Sequence, residues 1–234
     1  MSKTKKAVII GSVLVGIGAI IGFIGIAIGG FKFPNGAVDL TTMKALHAEK
    51  KTVQIADAFD KIEIAGASSM DIEICKSKTG KNYVEYYDTD DWTSHVDVKD
   101  HVLKFTTDDK GTHKAIVSLG FGKDTAARLY LADAEYKEIA VTTLSGYVTI
   151  QDVNAGTVNV SASSGDIDLE RCDAEGFDIT TSSGDVDMEI TAGRTYRFET
   201  KTNSGDVDVP DGDADSGYLC KIVTSSGDVD VKQK

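Results

Sequence analysis

The sequence predicts an all-β chain: a β-solenoid of stacked strand–turn–strand repeats behind one N-terminal transmembrane helix. Three observations predict it. A Ser-Gly-centred phrase recurs five times in the second half of the 234 residues. Apolar and polar residues alternate on both sides of that phrase. A stretch near the N-terminus, residues 7–31, carries no charge at all.

Residues 1–6, with Lys3, Lys5 and Lys6, read as a short cytoplasmic tail. The uncharged run Ala7–Phe31 spans 25 residues. At ~1.5 Å per residue it is long enough to cross a ~30 Å hydrocarbon core with some tilt. A cleaved signal peptide has a shorter apolar region, about 7–15 residues, and a small-residue cleavage site. Ala27-Ile28-Gly29 is a poor site of that kind, so the run reads as a retained signal anchor with the lipid bilayer as its first partner. The N-terminal lysines favour the N-terminus inside and the C-terminal domain outside the plasma membrane, in a single pass. Lys32, Lys44, Lys50 and Lys51 pull the other way. Gly18, Gly22, Gly25 and Gly29 share one helical face, and such small-xxx-small pairs let two membrane helices approach closely. Self-association through that face is one reading; the general abundance of Gly in membrane helices is the other.

Residues 32–52, with the turn signal Pro34-Asn35-Gly36 and a short helix after Asp39, read as a spacer. Residues 53–134 read as an irregular β region that supplies first coils or a cap. Its candidate strands are Lys61–Ala65, Asp71–Cys75, Tyr83–Tyr87, His95–Lys99, Val102–Thr106, Lys114–Leu119 and Arg128–Leu131. Ser68-Ser69-Met70-Asp71-Ile72-Glu73-Ile74 resembles the repeat phrase without its glycine.

Residues 135–234 are the repeats. The corner glycines are Gly146, Gly165, Gly184, Gly205 and Gly227. Seven residues before them stand Ile139, Val158, Phe177, Phe198 and Cys220; five before, Val141, Val160, Ile179, Thr200 and Ile222. Two residues after stand Val148, Ile167, Val186, Val207 and Val229; four after, Ile150, Leu169, Met188, Val209 and Val231. Each repeat is therefore strand–corner–strand with one buried face. One repeat cannot bury that face alone, but stacked neighbours turn equivalent positions into columns. Glycine suits a corner of positive φ or close backbone approach. An antiparallel β-sandwich is the alternative architecture; it leaves the near-constant repeat spacing unexplained.

The Ser-Ser-Gly-Asp-Val-Asp-Val phrase, following one N-terminal membrane segment, resembles the bacterial putative-adhesin family of unknown function. The resemblance covers residues 53–234 and is most specific over 139–231. It implies a β-solenoid-like fold, a cell-envelope location and, in some relatives, a link to envelope stress. It implies no catalytic residues.

Both outward positions after four of the glycines are aspartate: Asp166 and Asp168, Asp185 and Asp187, Asp206 and Asp208, Asp228 and Asp230. Stacking predicts a grid of eight carboxylates, with neighbours about 5 Å apart between coils. A like-charge pair at that spacing costs roughly 0.8 kcal/mol even in bulk water. Three things offset such a cost: corner amides donating to the carboxylates, weak divalent-cation sites with Ca²⁺ as the natural ion, or a cationic partner surface. No EF-hand loop, nucleophile elbow or zinc-spaced Cys/His cluster is present. His95 and His101 lie on neighbouring candidate strands, and Trp92 with Tyr83, Tyr86 and Tyr87 form either core packing or a carbohydrate-contact patch. Cys220 reads as a small buried hydrophobe, with Cys172 at a loop and Cys75 unpaired.

The net charge of −12 excludes the basic footprint of a nucleic-acid binder. Residues 1–134 hold 17 acidic and 17 basic residues, whereas 135–234 hold 20 acidic and 8 basic. The whole excess therefore belongs to the repeats. The sequence reads as a non-enzymatic, membrane-anchored envelope protein with a structural, binding or stress-sensing role. An envelope protein or a wall polymer is the expected partner. An adhesin and a polysaccharide-acting enzyme are the alternatives.

Overall fold

The computed structural model describes residues 37–39, 44–45, 48–66, 70–89, 92–109, 116–118, 126–132, 134–191 and 193–234. The apolar run Ala7–Phe31 and its Gly18, Gly22, Gly25 and Gly29 face lie outside these residues. Among the described residues there is no helix long and apolar enough to cross a membrane.

The chain divides into two units. In the smaller, β1 (Ala37–Asp39) pairs antiparallel with β2 (Lys44–Ala45) and with β9 (Ile116–Ser118). Where a short helix is expected after Asp39, the described residues Lys44–Ala45 are strand, and β3 (Ala48–Ile55) follows as an eight-residue strand.

The larger unit is all-β and built of coils with two strands each. In chain order they are β4 (Lys61–Ala65) with β5 (Ile72–Lys76), then β11 (Glu135–Ser145) with β12 (Val148–Gln151). Next come β13 (Asn154–Ser164) with the first part of β14 (Ile167–Thr180), and the rest of β14 with β15 (Val186–Ile190). The last two are β16 (Arg197–Lys201) with β17 (Val207–Asp208), and β18 (Leu219–Val223) with β19 (Val229–Gln233). Equivalent strands pair in parallel and in register, as Ile139↔Val158 and Val158↔Phe177 show. Parallel pairing excludes the antiparallel sandwich. One strand of each coil lies in each of two sheets, and β14 turns from one sheet into the other, joining them into a 16-stranded hydrogen-bonded network.

The alternation explains the core. Ile72, Val148, Ile167, Val186 and Val229 form one inward column and Ile62, Ile139, Val158, Phe177 and Cys220 another, all at most 2% exposed. Each such aliphatic side chain contributes about 1.5–3 kcal/mol by leaving water.

The first coil is the glycine-free copy. Ile72 and Ile74 of β5 take the places of Val148 and Ile150. Antiparallel strands complete the N-terminal end. On one sheet β10 (Ala127–Leu131) pairs parallel with β5, then antiparallel with β6 (Asn82–Thr89), which pairs antiparallel with β3. On the other, β8 (Val102–Asp109) pairs parallel with β4 and antiparallel with β7 (Trp92–Lys99). Six of the seven sequence-derived strands in this region coincide with these elements, and the seventh, Lys114–Leu119, contains β9.

The coils do not stack in chain order at the far end. β18 lies between β14 and β16, and β19 between β15 and β17. The last repeat is therefore an interior layer, and the penultimate repeat is the terminal one. Packing gives a reason. The observed order interleaves Cys220 between Phe177 and Phe198, where chain order would set the two rings on adjacent strands. Fully buried Tyr196 then wedges beside both rings, 5.7 Å from Phe177 and 6.1 Å from Phe198, and its hydroxyl donates to the Ala174 carbonyl at 2.5 Å.

Candidate functional site

The repeated corner is held by backbone. Gly146, Gly165, Gly184, Gly205 and Gly227 all have φ between 127° and 154°. A Cβ on Gly165 would overlap the Gly146 carbonyl, and one on Gly184 the Gly165 carbonyl. Glycine is thus required twice over, by backbone angle and by close approach. Four of the five corner amides donate to the next coil, among them Gly165 N to Ser183 O at 2.9 Å, Gly184 N to Ser226 O at 3.0 Å and Gly227 N to Ser204 O at 3.0 Å.

The eight aspartates separate into two columns with different duties. In the first, Asp166 accepts the amide of Asp185 at 2.9 Å, Asp185 that of Asp228 at 2.8 Å, and Asp228 that of Asp206 at 2.8 Å. Asp71 belongs to the same column and accepts the Tyr147 amide at 2.9 Å. Carboxylates in this column cap the corner of the coil above them, which offsets their mutual repulsion.

The second column is Asp168, Asp187, Asp230 and Asp208, on four adjacent parallel strands. Burial, then Glu170 and Asp187, hold the Asp168 carboxyl above the usual carboxylate range. Burial, then Asp230 and Asp185, do the same to Asp187. Among the described residues Lys232 answers the column: its Nζ stands 3.0 Å from Asp230 Oδ2, and that carboxylate raises the lysine's own pKa. Among the described residues no three His, Cys, Asp or Glu side chains converge into a cluster that could hold a metal ion.

The opposite corner of the coil is built differently. Asp152 and Arg171 occupy the same place in successive repeats and both adopt left-handed backbone, φ 54° and 52°. Arg171 Nε and Nη2 donate to the two Asp152 carboxylate oxygens at 2.7 and 3.0 Å. The arginine holds the Asp152 carboxyl below its ordinary value. A cleft of about 330 Å³ opens here, lined by Lys76, Tyr136, Asp152, Asn154, Arg171 and Thr191 among others. Burial pushes the Tyr136 phenol up to about 12. Sequence reasoning missed this pair, although the opposite charges recur 19 residues apart, at one repeat spacing, and it left Asp71 of the glycine-free phrase out of the acid grid.

The remaining candidates are structural. His95 lies 3.1 Å from Asp108, while His101 sits in the β7–β8 turn at φ 63° and accepts the Lys61 amide through its carbonyl, so the two do not form a site. Tyr86 packs edge-on to Phe105 in the core, Tyr83 stacks on Tyr130 at 4.3 Å, and Trp92 Nε1 donates to the Tyr87 carbonyl. Cys75, Cys172 and Cys220 are free thiols. Cys172 is not at a loop but fully buried within β14, its Sγ 3.3 Å from the Ile150 carbonyl oxygen. Burial pushes the Cys172 and Cys220 thiols up to about 12.

Residues 59–234, three quarters of the chain, match the model of the Toastrack DUF4097 family. The chain belongs to that family. Its fold is shared with a "putative cell adhesion protein" from Clostridium sporogenes: TM-score 0.58 and 16% identity, over 81% of this Toastrack chain and all of the other. A "putative adhesin" from Bacteroides fragilis aligns with 80% of it and 97% of its own chain, at TM-score 0.34 and 15% identity. A "putative lipid binding protein" from Parabacteroides distasonis aligns with 79% and 96%, at 0.31 and 12%. Among curated proteins no sequence match is found. At 16% identity the likeness to the Clostridium protein concerns the fold alone and not its ligands.

Proposed function

We propose that this chain is a membrane-anchored, extracytoplasmic binding module of the cell envelope, whose working surface is the outward acid column Asp168–Asp187–Asp230–Asp208. The observation that carries the reading is the division of labour between the columns. Asp166, Asp185 and Asp228 have corner amides to cap. The outer column has no such duty, yet keeps like charges on four neighbouring strands. A cationic partner relieves that repulsion on binding. The anchor and orientation rest on the uncharged run Ala7–Phe31 and the lysines before it. An adhesin that holds a wall polymer is one form of this function.

Sedimentation of the full chain with purified cell wall, alongside crosslinked pull-down from intact cells, tests it. Wild type is captured in one assay or both, and the triple change Asp168→Asn, Asp187→Asn, Asp230→Asn lowers capture at least tenfold with an unchanged fold. Equal capture of the triple variant rejects the acid column as the working surface. Divalent ions are the simplest cationic partner, and a melting temperature in millimolar Ca²⁺ above that in EDTA would assign bridging ions to the column.

A further inference from the structure

We propose that the open end of the stack, residues 203–208 on the terminal coil, is a docking edge for an extended basic segment of another protein. The segment adds as one more parallel strand beside β17. The exchange of the last two repeats makes β16 and β17 the terminal layer. Val207 belongs to the inward column of Val148, Ile167, Val186 and Val229, which are 0–1% exposed, yet it is itself 42% exposed. All six residues from 203 to 208 are exposed. The other half of the terminal coil is covered by its own chain: Gly212 folds back against Phe198, and the Asp213 amide donates to the Tyr196 carbonyl.

The hydrogen-bonding groups point the same way. In the inner coils the corner glycine N–H and the N–H two residues later both donate to the next coil, as Gly184 does to Ser226 and Val186 to Asp228. The aspartate between them accepts an amide from that coil. On the terminal coil the Gly205 and Val207 amides and the Asp206 carboxylate have no next coil among the described residues. Two donors, one acceptor and one uncovered apolar position are thus set out at strand register, which is what strand addition uses.

Charge selects the occupant. Asp206 and Asp208 end the two acid columns at this edge. The same edge of a second copy would bring like charges together. Two ends related by a two-fold axis would also run antiparallel, whereas these groups continue a parallel ladder. An incoming strand with an apolar residue over Val207 and a basic residue over Asp208 extends both columns and neutralises one.

This rests on the reading of the chain as a binding module, and the test separates the two. The probe is a fluorescent peptide, Ser-Ser-Gly-Lys-Val-Lys-Val, titrated by anisotropy against the full chain in detergent. The all-aspartate form of the same peptide is the control. The lysine peptide binds, the aspartate peptide binds at least tenfold more weakly, and Val207→Pro, which removes an outward N–H, weakens the lysine peptide at least tenfold. Asp206→Ala weakens it as well, so the result does not hang on a proline; melting temperatures confirm that both variants fold. No binding of the lysine peptide, or equal binding to Val207→Pro and Asp206→Ala, overturns the proposal. So does binding that falls with Asp168→Asn but not Val207→Pro, which places the peptide on the outer face. End-to-end dimers abolished by Val207→Pro would make a second copy the occupant and overturn it too. Loss of peptide binding with wall or partner capture intact sinks the edge alone; loss of both sinks the binding-module reading.

Discussion

The two corners of each coil solve the same problem by different means. At one, the chain turns on glycines of positive φ, each pressed against the carbonyl of its neighbour, and aspartates cap the next amide along. At the other, Asp152 and Arg171 carry the left-handed backbone with side chains present, tied by an ion pair. In the five coils that carry the glycine, the first corner tolerates one residue type and is therefore written as a repeat. The second needs only a turn whose cost is met locally, so its sequence drifts and a cleft opens beside it.

Substitutions can break or sharpen that contrast. The largest effect is expected from Gly165→Ala, which places a Cβ on the Gly146 carbonyl in backbone that alanine avoids. It should cost about 3 kcal/mol or more, read by chemical denaturation. Arg171→Gly at the other corner should keep the fold and lower the melting temperature by less, since glycine relieves the left-handed strain while the ion pair is lost. Equal losses at the two corners would refute the distinction. Next is the comparison of Asp185→Ala with Asp187→Ala. The former leaves the Asp228 amide uncapped and should cost about 1 kcal/mol, while the latter should be neutral or stabilising. Thr181→Val removes a buried hydroxyl without a partner and should leave stability unchanged or raise it by about 1 kcal/mol.

The smallest effect is a pH dependence. The folded Asp168 carboxyl lies above its unfolded value, so the native state binds more protons across the carboxylate range and stability falls as pH rises through it. Asp168→Asn should therefore raise stability at pH 7 by about 0.5 kcal/mol after solvent screening, and the gain should vanish below about pH 3.9. A gain of equal size at both pH values would show that charge is not its cause.

The sequence reveals the strands and the corners because both are written in side chains. Alternation marks Ile62, Ile64, Ile72 and Ile74 as inward even where the glycine is replaced by Met70. The order of the last two coils is not readable that way, because equivalent columns make repeats interchangeable and Phe198 and Cys220 satisfy the same position. What decides it is the bulk of Phe177 and Phe198, which Cys220 separates while Tyr196 packs against both. The eight aspartates are visible as a grid, but their division into a capping column and an outer one depends on which side chain meets the next amide. Asp71 is placed in the repeat-like phrase but left out of the grid because that copy lacks the glycine. The short helix expected after Asp39 gives way to strand pairing at Lys44–Ala45.

The exchange of repeats also changes where the molecule can come apart. A stack assembled in chain order frays from its C-terminus, one layer at a time. Here the final strand is hydrogen-bonded on both sides, to β15 and to β17. Releasing that strand means opening two ladders in the interior at once. A chain cut short before Leu219 would be missing a rung from the middle of the ladder and not from its tip. The repeat of β18 and β19 is thereby the lock of the stack: made after its neighbour, it is the layer that holds the preceding coil in place.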